Sequence, residues 1–200
     1  MSAFRDLRDA VFFVTGNFHK FNEACQVFRA FGISTIMVKR INVVETQADD
    51  LEEIAERSVR EAVRKCNLPV FVEDAGLFIE ALSGFPGPYS SYVFRTIGNK
   101  AILRLMQGLR NRKAFFKSAI AYSVPEMRRA IIFIGRINGE IIGEESGNHG
   151  FGFDPIFQPN FSSKSFAEMA LDEKNQHSHR AVALRKFAEW YSAIPRTQKS

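Results

Sequence analysis

Val11-Phe12-Phe13-Val14-Thr15-Gly16-Asn17-Phe18-His19-Lys20 is the stretch that sets the class of this chain. Its first four residues are a short apolar run of β-type side chains, read as a buried strand. Gly16 breaks the run and lets the backbone turn tightly. Residues 18–31 then place Phe21, Ala24, Cys25 and Phe28 at helical spacing, and Gly32 stops the helix. A strand that turns directly into a helix is a building unit of α/β folds. The N–H groups at such a helix start favour an anion, and Lys20 adds a point charge. Thr15, Gly16, Asn17, Phe18, His19 and Lys20 therefore form a candidate phosphate cradle. The GxxxxGK spacing of a Walker loop is absent. A helix capped by Asn17 would explain the same residues without any ligand.

Working outward, residues 34–38 and 41–44 read as strands. Asp50 is placed to cap a second helix that runs to about residue 65, with Glu53 as its capping-box partner. Residues 70–73 read as another strand, followed by a Gly/Pro/Ser-rich loop over 83–91. Residues 99–109 are helical by pattern. Strands follow over 114–124 and 129–137, separated by a turn at Pro125-Glu126. Asn138-Gly139 carries a type I′ hairpin signal leading into residues 140–143. Residues 147–160 read as irregular, and an amphipathic helix over 180–191 closes the pattern. The expected fold is mixed α/β: an elongated sheet flanked by helices, with two lobes around a central cleft, in one domain over residues 1–200.

Three further stretches, and the lone carboxylate of Glu45, carry polar chemistry. Glu73-Asp74 sits where the 70–73 strand is expected to end, and adjacent strand residues face opposite ways. One carboxylate can then face a cleft, where it binds Mg²⁺ or takes a proton from water. Glu45 follows the 41–44 strand in the same manner. Phe151-Gly152-Phe153-Asp154 could form a slot for a flat base, with Asp154 on a base edge or a ribose hydroxyl. Lys174, His179 and Arg180 concentrate donors suited to phosphate and carbonyl oxygens. Each stretch also has an ordinary reading: an acidic strand end, a solvated loop carboxylate, a tight turn anchored by two Phe, and a solvated basic face.

Composition narrows the classes. The chain has 200 residues, 27 basic against 22 acidic, for a net charge of +5. That mild excess favours anionic ligands but is too small and dispersed for a duplex nucleic-acid binder. Phe accounts for 20 aromatics beside 4 Tyr and 1 Trp, which suits a Phe-rich core. Cys25 and Cys66 form no CxxC pair, as in a reducing compartment. No leader-like apolar run opens the sequence, and no stretch approaches the roughly 20 apolar residues of a membrane span. A cytoplasmic protein is the expectation.

The chain resembles the inosine triphosphate pyrophosphatase family. The likeness rests on Val14-Thr15-Gly16-Asn17 with Lys20, Val72-Glu73-Asp74 with Leu77, Gly84-Phe85-Pro86-Gly87-Pro88-Tyr89-Ser90, residues 150–157, and Phe166-Ala167-Glu168-Met169 through Arg180. These stand in the family's order and at similar spacing across residues 11–191. The resemblance implies Mg²⁺-dependent hydrolysis of deaminated purine nucleoside triphosphates (ITP, dITP, XTP) to the monophosphate and pyrophosphate. It implies Glu45 and Asp74 as metal ligands, with Asp74 also accepting the proton of water. It implies that residues 15–20 hold the triphosphate, that Phe151 to Asp154, Lys174, His179 and Arg180 line the nucleotide pocket, and that the protein is a homodimer. Two positions depart from the pattern. Ala75 replaces a usual Ser or Thr of the phosphate site, and Phe153 replaces a usual Tyr or Trp. A nucleotide- or RNA-binding module without catalysis is the competing class, and the carboxylates Glu45 and Asp74 weigh against it.

Overall fold

The computed structural model describes residues 10–39 and 48–194. In order these form β1 (Ala10–Val14), α1 (Phe18–Arg29), β2 (Ser34–Val38), α2 (Leu51–Cys66), β3 (Val70–Ile79), β4 (Pro86–Gly87), α3 (Ser90–Thr96), α4 (Gly98–Leu105), β5 (Lys113–Ser123), β6 (Ile131–Ile141), β7 (Phe157–Pro159), α5 (Leu171–His177) and α6 (His179–Ala193). One-turn 3₁₀ segments lie at Glu80–Leu82, Asp154–Ile156 and Phe166–Glu168. The sheet order is β2-β1-β3-β5-β6-β7, with β4 added beside β3. β1 is parallel to β2 and to β3, and the remaining pairs are antiparallel. The mixed α/β sheet read from the sequence is thus the observed one.

The long strands β3, β5 and β6 carry the sheet through two differently packed halves. In the first half, α1 and α6 cover one face around Phe13, Phe28, Phe71 and Phe187. There Phe13 stacks on Phe71, with ring centres 4.2 Å apart. On the opposite face α2 packs Leu51, Ala55, Val59 and Ala62 against Val70, Val72, Ala119 and Ala121. In the second half, Leu77, Ile79 and Phe116 meet Ile102 and Met106 near α4, and Ile156, Phe157 and Phe166 beyond it. The Phe-rich composition is largely spent on these three cores.

Several local expectations change. β3 does not stop at Glu73. It pairs residue for residue with β5 as far as Ile79 against Ala114, because Leu77 and Ile79 are buried on its far half. Asn138-Gly139 is not a hairpin turn but lies inside β6, opposite Phe115 and Ala114. Gly139 is needed there for close approach: a Cβ would stand 2.2 Å from the Gln158 carbonyl oxygen and 2.6 Å from the Phe157 ring. The loop over 83–91 contains β4 and runs into α3, which the sequence reading missed. The helix expected over 99–109 is α4, ending at Leu105. Ile97 separates α3 from α4, and Gly98, at φ 67°, is the first residue of α4. Asp50 occupies the N-cap of α2 without a side-chain cap bond, and Glu53 pairs with Arg57 instead. The region over 147–160 is ordered around a 3₁₀ turn and β7. The expected 41–44 strand and Glu45 lie outside the described residues.

Candidate active site

The site lies where the two halves of the sheet meet. Asn17 caps α1: its Oδ1 accepts from the N–H groups of His19 at 2.9 Å and Lys20 at 3.2 Å. The capping reading is therefore correct, and it has a consequence. Two of the helix-start donors are already used, while the Asn17 side-chain NH₂ is left to face outward as a donor. Asn17 N–H donates to Thr15 Oγ1 at 3.1 Å, which fixes the turn through Gly16.

A cavity of about 570 Å³ opens over this turn, within the range of small-molecule sites. Thr15, Gly16, Asn17, His19 and Lys20 line one side, and Asp74 and Ala75 of β3 line another. Phe151, Gly152, Phe153, Asp154, Lys174, His179 and Arg180 complete it, with Ser90, Ser91, Phe94 and Arg95 of α3 and Phe116 of β5. The four stretches singled out in the sequence are thus brought together. Phe18 is the exception among the described candidates: it does not line the cavity and is 57% exposed. Glu45 falls outside the described residues.

Beneath the cavity runs an alternating ion network. Lys20 Nζ pairs with Glu73 Oε2 at 2.8 Å and donates to the Glu73 carbonyl at 3.0 Å. Arg180 Nε donates to Glu73 Oε1 at 3.0 Å, and its Nη1 pairs with Glu23. Lys174 Nζ bridges Glu23 at 2.9 Å and Asp154 at 2.6 Å. Ser118 Oγ donates to Glu73 at 2.6 Å, and the Phe151 N–H donates to Asp154 at 2.9 Å. Glu73, which the sequence places beside Asp74 with no separate role, is the hub of this network.

The electrostatics follow from burial against pairing. Burial alone would raise the Glu23 carboxyl, but Arg180 and Lys174 outweigh it and hold the pKa at about 2. Glu73 is likewise held low, burial being overcome by Arg180 and Lys20. Burial opposes charge on Lys174, yet Asp154 and Glu23 raise its pKa. His179 moves the other way. Burial, reinforced by the Arg180 charge, depresses it well below the usual imidazole range, so the ring is neutral. His179 stacks on Phe116 at 4.6 Å, and its Nδ1 has no hydrogen-bond partner. An orphaned polar atom beside a cavity is a natural contact for a bound base edge.

Two aspects of the expected pocket are altered. Lys20 and Lys174 are not isolated cations, because each is tied to carboxylates. The aromatic slot is also different: Phe153 is buried against Phe94, while Phe151 stacks on His19 at 5.1 Å with Lys174 and Arg180 near its ring. The sequence reading missed Glu23, Phe116 and the α3 residues. A signal existed for Glu23, since it sits among Ala24, Val27 and Phe28 on the buried face of α1. A carboxylate in such a stripe requires a charged partner. Phe116 and the α3 residues gave none.

As a metal site, the described residues offer a minimal donor set. Among them no group of three or more His, Cys, Asp or Glu is placed to hold an ion. Mg²⁺ needs only one or two protein carboxylates when phosphates and water supply the rest, and Asp74 in the cavity wall meets that requirement. No described helix is long and apolar enough to cross a membrane.

The sequence profile of the Ham1 family matches residues 11–190. The chain is 50% identical over 181 residues to the dITP/XTP pyrophosphatase of Methanopyrus kandleri, covering 90% of this chain and 95% of that protein. It is 49% identical to the dITP/XTP pyrophosphatase of Thermococcus kodakarensis, covering 89% and 95%. Among solved structures, a HAM1 protein from Coxiella burnetii superposes with a TM-score of 0.82 at 27% identity, covering 92% of this chain and 99% of that one. The Staphylococcus aureus Ham1 protein gives 0.79 at 28% identity, covering 90% and 97%.

Proposed function

The chain belongs to the Ham1 family, and from that premise we propose that it is a nucleoside triphosphate pyrophosphatase acting on the deaminated purine nucleotides ITP, dITP and XTP. The observation that carries this reading is the cavity itself. It sets the Asp74 carboxylate and the capped turn of α1 on the same chamber as His179 and Arg180.

In this reading the base lies toward His179, Phe151 and Arg180, and the phosphates lie toward Thr15, Asn17 and Asp74. A water oxygen attacks the α-phosphorus, the bond from that phosphorus to its bridging oxygen breaks, and pyrophosphate leaves. Asp74 accepts the proton of the attacking water. Asp74 would also hold Mg²⁺ together with the substrate phosphates. When bound, the ion neutralises charge developing on the leaving group. Arg180 Nη2, which makes no hydrogen bond within the described chain, and the neutral His179 face the base edge. A 6-keto oxygen accepts from such donors, whereas a 6-amino group leaves donor facing donor. That mismatch is the physical source of selection against ATP.

The protein is further read as cytoplasmic, in keeping with its two free cysteines. It is also read as a homodimer, which suits the exposed Tyr92, Ile97 and Leu105 of the α3–α4 region. Sedimentation at several concentrations tests the dimer; a monomer throughout rejects it.

The decisive test is product analysis for ITP and XTP beside ATP and GTP, with and without Mg²⁺. Pyrophosphate from ITP and XTP, dependent on the ion, is the expected result. Orthophosphate as the first product would place cleavage at the γ-phosphate and reject the reading.

A further inference from the structure

One face of α3 presents Ser91, Phe94 and Arg95 to the cavity, as expected for residues three and four apart. Phe94 meets Phe153 edge-on at 5.6 Å, and the Ser90 hydroxyl ties the helix start to β3 by accepting from Leu77 N–H at 2.8 Å. The helix is thus fixed to both the β3 floor and the 151–154 turn, and Arg95 projects from a rigid base.

Arg95 differs from the other cations of the chamber. Lys20, Lys174 and Arg180 are held by Glu23, Glu73 and Asp154. With Asp74 also in the wall, those three cations have no surplus over the carboxylates around them. Arg95 is exposed, and among the described residues its side chain makes no ion pair or hydrogen bond. A guanidinium without a carboxylate can meet a phosphate without first breaking an existing pair, and its planar fork matches phosphate oxygens.

We propose that Arg95 is a substrate-binding residue that holds the phosphate chain of the nucleotide from the α3 side of the cavity. The proposal rests on the pyrophosphatase reading for the identity of the substrate, but its chemistry is that of a polyphosphate anion. Because Arg95 contacts phosphate rather than the water or the proton acceptor, it acts on affinity.

The experiment compares Arg95→Ala, Arg95→Lys and the unaltered protein in two assays. One is steady-state hydrolysis of ITP with Mg²⁺. The other is calorimetric binding of inorganic tripolyphosphate, with and without Mg²⁺. Arg95→Ala is expected to raise the ITP KM and the tripolyphosphate Kd together, each about tenfold, the low end for a charge-assisted hydrogen bond at an exposed side chain. The kcat is expected to stay unchanged, and Arg95→Lys to lie between. Unchanged KM and Kd, with a shift only in melting temperature, would assign Arg95 to helix stability and overturn the proposal. A raised ITP KM with unchanged tripolyphosphate affinity would move the contact to the base or sugar and overturn it equally. If the unaltered protein binds tripolyphosphate in an Arg95-dependent way yet hydrolyses no nucleotide, the pyrophosphatase reading fails while the anion contact stands.

Discussion

Single side chains divide into those that stabilise the site and those that react in it. Glu23 belongs to the first group. It is buried and joins Arg180 to Lys174, so Glu23→Gln leaves two buried cations short of a partner. We expect a loss of about 3–5 kcal/mol, the range for breaking a buried ion pair, measured by urea unfolding. An unchanged midpoint would show that the two cations find other partners. Asp74 belongs to the second group. Asp74→Asn should reduce ITP turnover by roughly a hundredfold or more, the scale of a general base, while circular dichroism and melting remain near those of the unaltered chain. Near-normal turnover would remove Asp74 from its assigned role. His179 stands between the groups, because its buried Nδ1 has no partner within the described chain, which lowers stability, and becomes a contact when a base arrives.

Elements are positioned by close backbone contact as much as by side chains. α6 crosses β6 at Gly135, where a Cβ would lie 1.9 Å from the His179 carbonyl oxygen and 2.7 Å from the Ala183 nitrogen. Gly135→Ala must therefore push α6 away from the sheet, and α6 carries His179 and Arg180 at its start. The expected outcome is a stability loss of about 1–3 kcal/mol from overpacking, together with a raised KM for ITP. Gly143→Ala is the matched control, since nothing lies within 4 Å of its added Cβ. Equal effects from the two substitutions would mean that helix approach at Gly135 does not set the site. The same geometry explains why Asn138-Gly139 misleads as a hairpin. The pair is a turn signal in isolation, but Gly139 here serves a crowded strand crossing.

At the scale of the whole molecule, the buried network couples folding to pH. The folded pKa of Glu23, about 2, lies below its ordinary value of 4.5. Its contribution is complete above pH 4.5 and is lost as pH falls toward 2. Glu73 acts in the same direction. His179 is depressed instead, so below its ordinary value of 6.5 the unfolded chain takes up a proton that the folded chain refuses. Stability should then fall in two stages on acidification, first below about pH 6.5 and again below about 4.5. The first stage should have a slope of at most about 1.4 kcal/mol per pH unit. Replacing His179 by Gln should abolish the first stage and keep the second, as read from melting temperatures across pH 7 to 3. An unaltered first stage would place its origin elsewhere.

The amino-acid order alone determined the α/β class, the turn from β1 into α1 with its Asn17 cap, and the four stretches that meet at the cavity. These depend on local patterns: hydrophobic period, a glycine at a turn, a capping side chain. The tertiary structure decided the rest, because it turns on contacts between distant residues. β3 continues past Asp74 only because β5 pairs with it, Glu73 and Glu23 are network members only because α1 and α6 close over the same sheet face, and Arg95 reaches the chamber only because α3 is anchored across it. A partner more than 50 residues away leaves no periodic trace in sequence, so which cations are committed to carboxylates and which remain for a ligand is fixed by packing.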